Sequence, residues 1–230
     1  MLLEIQNLSK VYDKNKGLKS TSFRVNGNEL VAIVGHNGAG KSTLLKMIGQ
    51  WCIPDHGRIM INNSDVKAQK LVLNKVCFIP EVPNLYDFFS VDYNLKLFAS
   101  LFGQPQDRVE VVLEQLQLIA FRKHKVQSLS KGLKQRVSIG RSLISDPQII
   151  LLDEPTSGLD FETTKDVYKI MRKLHRNGKT ILFTTHQPEE VSDLATRILA
   201  LHQGQLVFDG TPENYFLSSV RDQIRKALNH

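Results

Sequence analysis

Short, wholly apolar runs punctuate this chain of 230 residues: Leu30–Val34, Val76–Ile79, Ile149–Leu152 and Ile198–Leu201. Each has the length of a strand buried on both faces. Arg58 to Ile61, Thr180 to Thr184 and Leu206 to Phe208 also read as strands, and residues 1 to about 30 as short strands and turns. Between Pro83 and Pro147 the period becomes helical. Leu95, Phe98, Ala99 and Phe102 fall at i, i+3, i+4 and i+7, as do Val109, Val112, Leu113 and Leu116. Asp107 followed by Glu110 has the spacing of a capped helix start. Val167, Ile170, Met171 and Leu174 predict a later helix. The order implies two lobes: an α/β core over residues 1–82 and 148–230, and a helical insert over 83–147.

Composition narrows the class. With 41% hydrophobic and 23% charged residues the chain reads as an ordinary globular protein. No apolar run approaches the ~20 residues needed to cross a bilayer, and the start lacks the basic and apolar parts of a signal peptide. Cys52 and Cys77 have no metal-type spacing and read as buried free thiols, which points to a reducing, cytoplasmic setting. The net charge of +7 is spread over scattered residues such as Lys10, Lys14, Arg122, Lys125, Arg221, Arg225 and Lys226. No basic stripe alternates with aromatics, so no nucleic-acid partner is expected.

Three segments carry chemistry. Gly35-His36-Asn37-Gly38-Ala39-Gly40-Lys41-Ser42 follows an apolar run and precedes a helix, the context of a phosphate-binding loop. Its backbone amides can close on phosphate oxygens, Lys41 can reach the β- and γ-phosphates, and Ser42 can bind Mg²⁺. Asp153 and Glu154 end an apolar strand, which suits Asp153 to hold Mg²⁺ and Glu154 to act on an attacking water. His186 ends another strand, at the edge where α/β proteins bind ligands; on chemistry alone it reads equally as a phosphate contact or a structural residue. Pro188 suits the first turn of a helix.

The run Leu129-Ser130-Lys131-Gly132-Leu133-Lys134-Gln135-Arg136 resembles the signature segment of ATP-binding cassette proteins. Together with the phosphate loop and Asp153–Glu154, it makes nearly the whole chain similar to a nucleotide-binding subunit of an ABC transporter. That resemblance implies a P-loop NTPase core of mainly parallel sheet, an N-terminal antiparallel β region and an inserted helical subdomain. It implies ATP and Mg²⁺ as ligands, with Gly35, Asn37, Gly38, Ala39, Gly40, Lys41, Ser42 and Thr43 around the phosphates. It implies two subunits head to tail, a homodimer by the intactness of both half-sites. Ser130, Lys131 and Gly132 of each would then contact the ATP held by the other. Tyr12 matches the adenine-stacking aromatic, although such a Tyr could equally be core. Asp160 is the acidic member of the linking loop Ser157-Gly158-Leu159-Asp160, and His186 matches the switch histidine.

The chain departs from the family pattern at three positions. Glu81 stands where a glutamine is usual and is a candidate to take a Mg²⁺-bound water. Lys131 replaces a glycine and Leu133 a glutamine. Pro80-Glu81 and Ser130-Lys131-Gly132 resemble subunits serving ABC-2 type export permeases. The implied partner is a separately encoded membrane permease, with this chain peripheral on the cytoplasmic face of the membrane. Tyr86, Phe88 and Phe89 precede the first inserted helix and could line its docking groove, while Phe98 and Phe102 have core spacing. The alternative is a soluble ABC-type ATPase acting on nucleic acid or ribosomes. Against it, the chain has neither a long coiled-coil insertion nor a second cassette.

Overall fold

A computed structural model describes residues 1–13, 16–67, 75–219 and 221, so Lys14, Arg225 and Lys226 lie outside the described residues. Strands β1 (Leu3–Asp13), β2 (Lys16–Val25), β4 (His56–Ile61) and β5 (Ser64–Asp65) form an antiparallel sheet in the order β2-β1-β4-β5. The first thirty residues thus hold two long strands where the sequence pattern suggested short ones. Register shifts between Ile5 and Leu8, Leu8 and Lys10, and Val11 and Asp13 interrupt the alternation that would have marked them.

The second sheet runs β10-β9-β3-β8-β7-β6. Its strands β3 (Leu30–Val34), β6 (Val76–Ile79), β7 (Ile149–Leu152), β8 (Thr180–Thr185) and β9 (Arg197–His202) are parallel, and β10 (Gln205–Gly210) pairs antiparallel with β9. The apolar runs Leu30–Val34, Val76–Ile79 and Ile149–Leu152 coincide with β3, β6 and β7, whereas β4, β8, β9 and β10 extend one or two residues beyond the segments read as strands.

Successive residues of the parallel strands feed two cores, so these runs are apolar throughout. Val31, Ile33, Ile149, Leu151, Leu182 and Leu199 face α1 (Lys41–Ile48) and the antiparallel sheet. Leu30, Ala32, Ile150, Leu152, Ile181, Phe183 and Ile198 face the other helices. On that side α2 (Val91–Leu101), α3 (Asp107–Gln115) and α4 (Lys131–Leu143) lie between β6 and β7 in the chain. Val91, Leu95, Val112, Leu113, Val137 and Ile139 share one core with the sheet, and Phe98 and Phe102 pack half-buried against it. Helices α5 (Phe161–Arg176), α6 (Pro188–Leu194) and α7 (Pro212–Leu217) follow β7, β8 and β10, with Pro188 opening α6.

Asp107 does not cap α3. It is the first helical residue, and Gln106 before it is already helical with no side-chain cap bond. The amides of Arg108 and Val109 bond to the carbonyls of Pro105 and Gln106, a tight turn that starts the helix early. Asp107 and Glu110 act instead as first-turn charges on the helix dipole.

Candidate active site

The phosphate-type loop passes between two strands that leave no room for side chains. Gly35 has φ 156°, and a Cβ there would stand 2.4 Å from the Leu201 carbonyl oxygen. Gly40 has φ 101°, and its Cβ would meet the Gly17 carbonyl oxygen at 2.8 Å. Both positions need glycine. Among the described residues, the amides of Gly40, Lys41, Ser42 and Thr43 at the start of α1 have no hydrogen-bond acceptor. Four such N–H groups with the helix dipole behind them make an anion-binding well.

Lys41 is buried, and its Nζ donates to the carbonyls of Gly35 at 2.9 Å and His36 at 3.3 Å. Burial lowers its pKa, while the Glu154 and Asp153 carboxylates beside it act in the opposite sense. These carbonyl partners are neutral, so a phosphate oxygen would replace them with a charge-assisted bond.

Asp153 and Glu154 follow β7 and meet residues from two other elements. Asp153 Oδ1 accepts from Ser42 Oγ at 2.8 Å and from Thr184 Oγ1 at 2.7 Å. Glu154 has φ 45°, a left-handed backbone uncommon outside glycine and asparagine. Its amide donates to Thr184 Oγ1 at 2.8 Å, and its carbonyl accepts from the Ser157 amide at 3.1 Å. Its carboxylate lies 3.9 Å from Lys41 Nζ and 3.4 Å from His186 Nδ1. Lys41, Ser42, Asp153, Glu154 and His186 therefore converge, as their positions in the sequence suggest.

Tyr12 is exposed, and its hydroxyl lies 3.2 Å from Cys52 Sγ. That contact raises the phenol's pKa, while Thr43 on α1 lowers it, so the ring stands beside the loop. Cys52 is accordingly half-buried beside a polar group and not enclosed. The Cys77 thiol is pushed up to about 12 by burial, which leaves it inert. Glu81 accepts from Ser157 Oγ at 3.0 Å and makes no bond to Ser42 or Asp153.

Ser130, Lys131, Gly132 and Asp160 stand apart from this cluster. Ser130 caps α4, its Oγ accepting from the Leu133 amide at 3.3 Å. The amides of Lys131 and Gly132 have no acceptor among the described residues. Asp160 caps α5 by accepting from the Thr163 amide at 2.9 Å, which lowers its pKa.

Two residues escaped the sequence reading. Thr184 ties Asp153 to the Glu154 backbone. Glu190 on α6 is buried and accepts from Thr156, the residue before the linking loop, with the hydroxyls of Thr185 and Tyr168 also on it. Burial raises its pKa against the pull of those hydroxyls and of His186. The available signal was chemical: a hydroxyl or carboxyl inside an otherwise apolar strand or helix face needs partners.

Among the described residues, no three His, Cys, Asp or Glu side chains gather as a metal cage. The Ser42 and Asp153 oxygens, 2.8 Å apart, fit Mg²⁺, which takes few protein ligands beside phosphate oxygens and water.

Known proteins resemble this chain in sequence and in overall fold. The family model described as "ABC transporter" matches residues 18–157. The chain is 36% identical to the Nod factor export ATP-binding protein I of Rhizobium etli, over 92% of this chain and 69% of that protein. It is 36% identical to the methionine import ATP-binding protein MetN of Clostridium acetobutylicum, over 94% of this chain and 71% of that protein. Among solved structures it resembles a dimeric ATP-binding cassette in a post-hydrolysis state bound to ADP and Pi. That match has a TM-score of 0.81 and 27% identity over 92% of this chain and 99% of that one. The chain therefore belongs to the ABC transporter family, as an ATP-binding subunit that hydrolyses ATP with Mg²⁺.

Proposed function

We propose that two copies of this subunit close head to tail around two ATP and drive a separate membrane permease of the ABC-2 export type. One observation supports the reading: the chain carries two separate sets of groups suited to phosphate. Lys41, Ser42, Asp153, Glu154 and His186 meet at the strand ends, while the amides of Lys131 and Gly132, at the start of α4, have no acceptor among the described residues. A second copy would bring the missing half to each, and the similar structure bound to ADP and Pi is itself a dimer.

In this reading Tyr12 stacks on adenine, the amides of Gly40, Lys41, Ser42 and Thr43 hold the phosphates with the Lys41 ammonium, and Ala39, its amide donating to the His36 carbonyl at 3.0 Å, shapes the loop around them. Ser42 and Asp153 would hold Mg²⁺, with Glu81 a candidate for one of its waters, and the ion would supply neutralisation of phosphate charge. Glu154 takes the proton of the attacking water. His186 Nδ1, 3.4 Å away, holds that carboxylate in place. Ser130, Lys131 and Gly132 contact the partner's γ-phosphate, and Asp160 braces the linking loop.

Residues 83–147 serve as the signature subdomain and offer a docking surface. Tyr86, Phe88, Phe89 and Tyr93 are all exposed, and Phe89 stacks on Tyr93 with ring centroids 4.3 Å apart. Exposed clustered aromatics suit a groove for a permease's cytoplasmic helix. No helix among the described residues is long and apolar enough to cross a membrane, which fits a peripheral subunit at the cytoplasmic face. The export direction draws on Pro80-Glu81 and Ser130-Lys131-Gly132, together with the Nod factor export relative.

The test is reconstitution. The tagged chain is purified from detergent-solubilised membranes with its membrane partner, and the pair is placed in vesicles. ATP supplied on the face bearing this subunit should move substrate away from that face. ATP-driven movement toward it would sink the export assignment. Recovery with ribosomes or nucleic acid in place of a membrane protein would sink the transporter reading as a whole.

A further inference from the structure

The signature segment is packed, within its own chain, onto the helix that leaves the linking loop. Gly132 is buried in the first turn of α4. A Cβ built on it would lie 2.1 Å from Thr163 Cγ2, 3.3 Å from its Cβ and 3.4 Å from its Oγ1. No side chain fits there unless Thr163 moves. Thr163 is not free to move: its amide donates to Asp160 Oδ1 at 2.9 Å and its Oγ1 donates to Asp160 Oδ2, also at 2.9 Å.

Contacts on either side continue the same seam. Lys131 Nζ lies over Gly158, 2.4 Å from where a Cβ on that glycine would stand. One turn along, Arg136 pairs with Asp166. Residues 131, 132 and 136 of α4 thus face 158, 163 and 166 of the linking loop and α5.

We propose that Thr163 is a positioning residue that locks the signature segment to the linking loop of the same chain, so that both reach the partner's nucleotide as one rigid unit. The proposal rests on the reading that Ser130 and Gly132 contact the partner's ATP. It gives Gly132 a second duty. Its amide is left open for phosphate, and its missing side chain lets α4 sit against Thr163 while Asp160 holds that residue from the other side. A methyl group at 132 would push the signature amides and the linking loop apart.

A rescue experiment separates this duty from phosphate contact. Steady-state ATPase, ATP affinity of the single subunit and thermal midpoint are measured for Gly132→Ala, Thr163→Ser and the double variant. Thr163→Ser removes Cγ2 and keeps both bonds to Asp160. Gly132→Ala should lower kcat about tenfold or more with subunit ATP affinity retained. The double variant should recover most of that loss. A slow Gly132→Ala that Thr163→Ser does not rescue overturns the proposal and leaves the signature reading standing. A Gly132→Ala as fast as the original also overturns it.

Two further variants keep the outcome decisive. Thr163→Val retains the bulk beside Gly132 but loses the hydroxyl bond to Asp160; it should lower kcat several-fold with little change in subunit ATP affinity or thermal midpoint. Unchanged kcat there overturns the proposal even if Gly132→Ala fails to fold. Ser130→Ala in a Glu154→Gln background tests the underlying reading: undiminished ATP-dependent dimerisation would remove the signature from the partner's site, and the proposal with it.

Discussion

Thr184 and Glu154 are tied through one hydroxyl. Thr184 Oγ1 accepts the Glu154 amide at 2.8 Å and donates to Asp153 Oδ1 at 2.7 Å. The hydroxyl belongs to a fully buried side chain. It braces a backbone amide at φ 45° and orients the carboxylate that meets Ser42. β-sheet register brings the pair together: Leu152 pairs with Phe183 in the parallel β7–β8 ladder, so Asp153 and Thr184 follow side by side.

Thr184→Val keeps the shape and removes both bonds. It should cost about 1–3 kcal/mol of stability, because the Glu154 amide loses its partner. It should also lower kcat about tenfold or more, because both carboxylates lose their alignment. Thr184→Ser should restore most of each. Chemical denaturation and steady-state ATPase measure the two effects, and a Val variant with full activity would leave the hydroxyl without a catalytic consequence.

Glu154→Gln retains the size of the side chain and its contact distance to His186 but cannot take a proton. ATP should still bind, hydrolysis should slow by about 100-fold or more, and an ATP-bound dimer should accumulate. Light scattering with and without ATP reads the dimer. Near-normal turnover would remove Glu154 from the chemistry.

Glu190 predicts a pH dependence of stability. Its pKa in the folded chain lies above the ordinary 4.5, first because of burial. Between 4.5 and that raised value the native state holds a proton that the unfolded state has lost. Glu190's contribution is thus complete below pH 4.5 and is lost as pH rises through the folded value. Glu190→Gln needs no proton, so the difference in thermal midpoint, variant minus original, should grow from acid toward neutral pH. A difference that stays flat, or shrinks as pH rises, would contradict a buried protonated carboxyl at this position.

Phe88 is 76% exposed and has no ring partner among the described residues, so its substitution should leave the fold intact. Phe88→Asp should retain the ATPase of the isolated subunit within about twofold, since exposed positions away from special contacts change stability little. It should weaken recovery of the membrane partner. Equal recovery with Asp at this position would place the docking surface elsewhere.

Much of this molecule is legible along the chain because the underlying signals are local. Gly35 to Ser42 follows Leu30–Val34 and opens α1. Asp153–Glu154 ends Ile149–Leu152, and the helical period after Pro83 appears as α2, α3 and α4. Each depends on neighbours a few residues away, where propensity, periodicity and turn chemistry act directly. The first two strands were harder to see because their register shifts break the period. The Asp107 spacing misled because the turn at Pro105 starts α3 one residue early.

The meetings between distant side chains are a different matter. Glu81 with Ser157, Thr184 with Asp153, Thr156 with Glu190, and Gly132 with Thr163 join residues thirty or more positions apart. None follows from a local pattern, since each arises where strand register and helix packing bring two elements to one spot. The residue types for phosphate chemistry are written in the chain. Their alignment, and the seam between α4 and α5, come from long-range packing that fills two cores on opposite faces of one sheet.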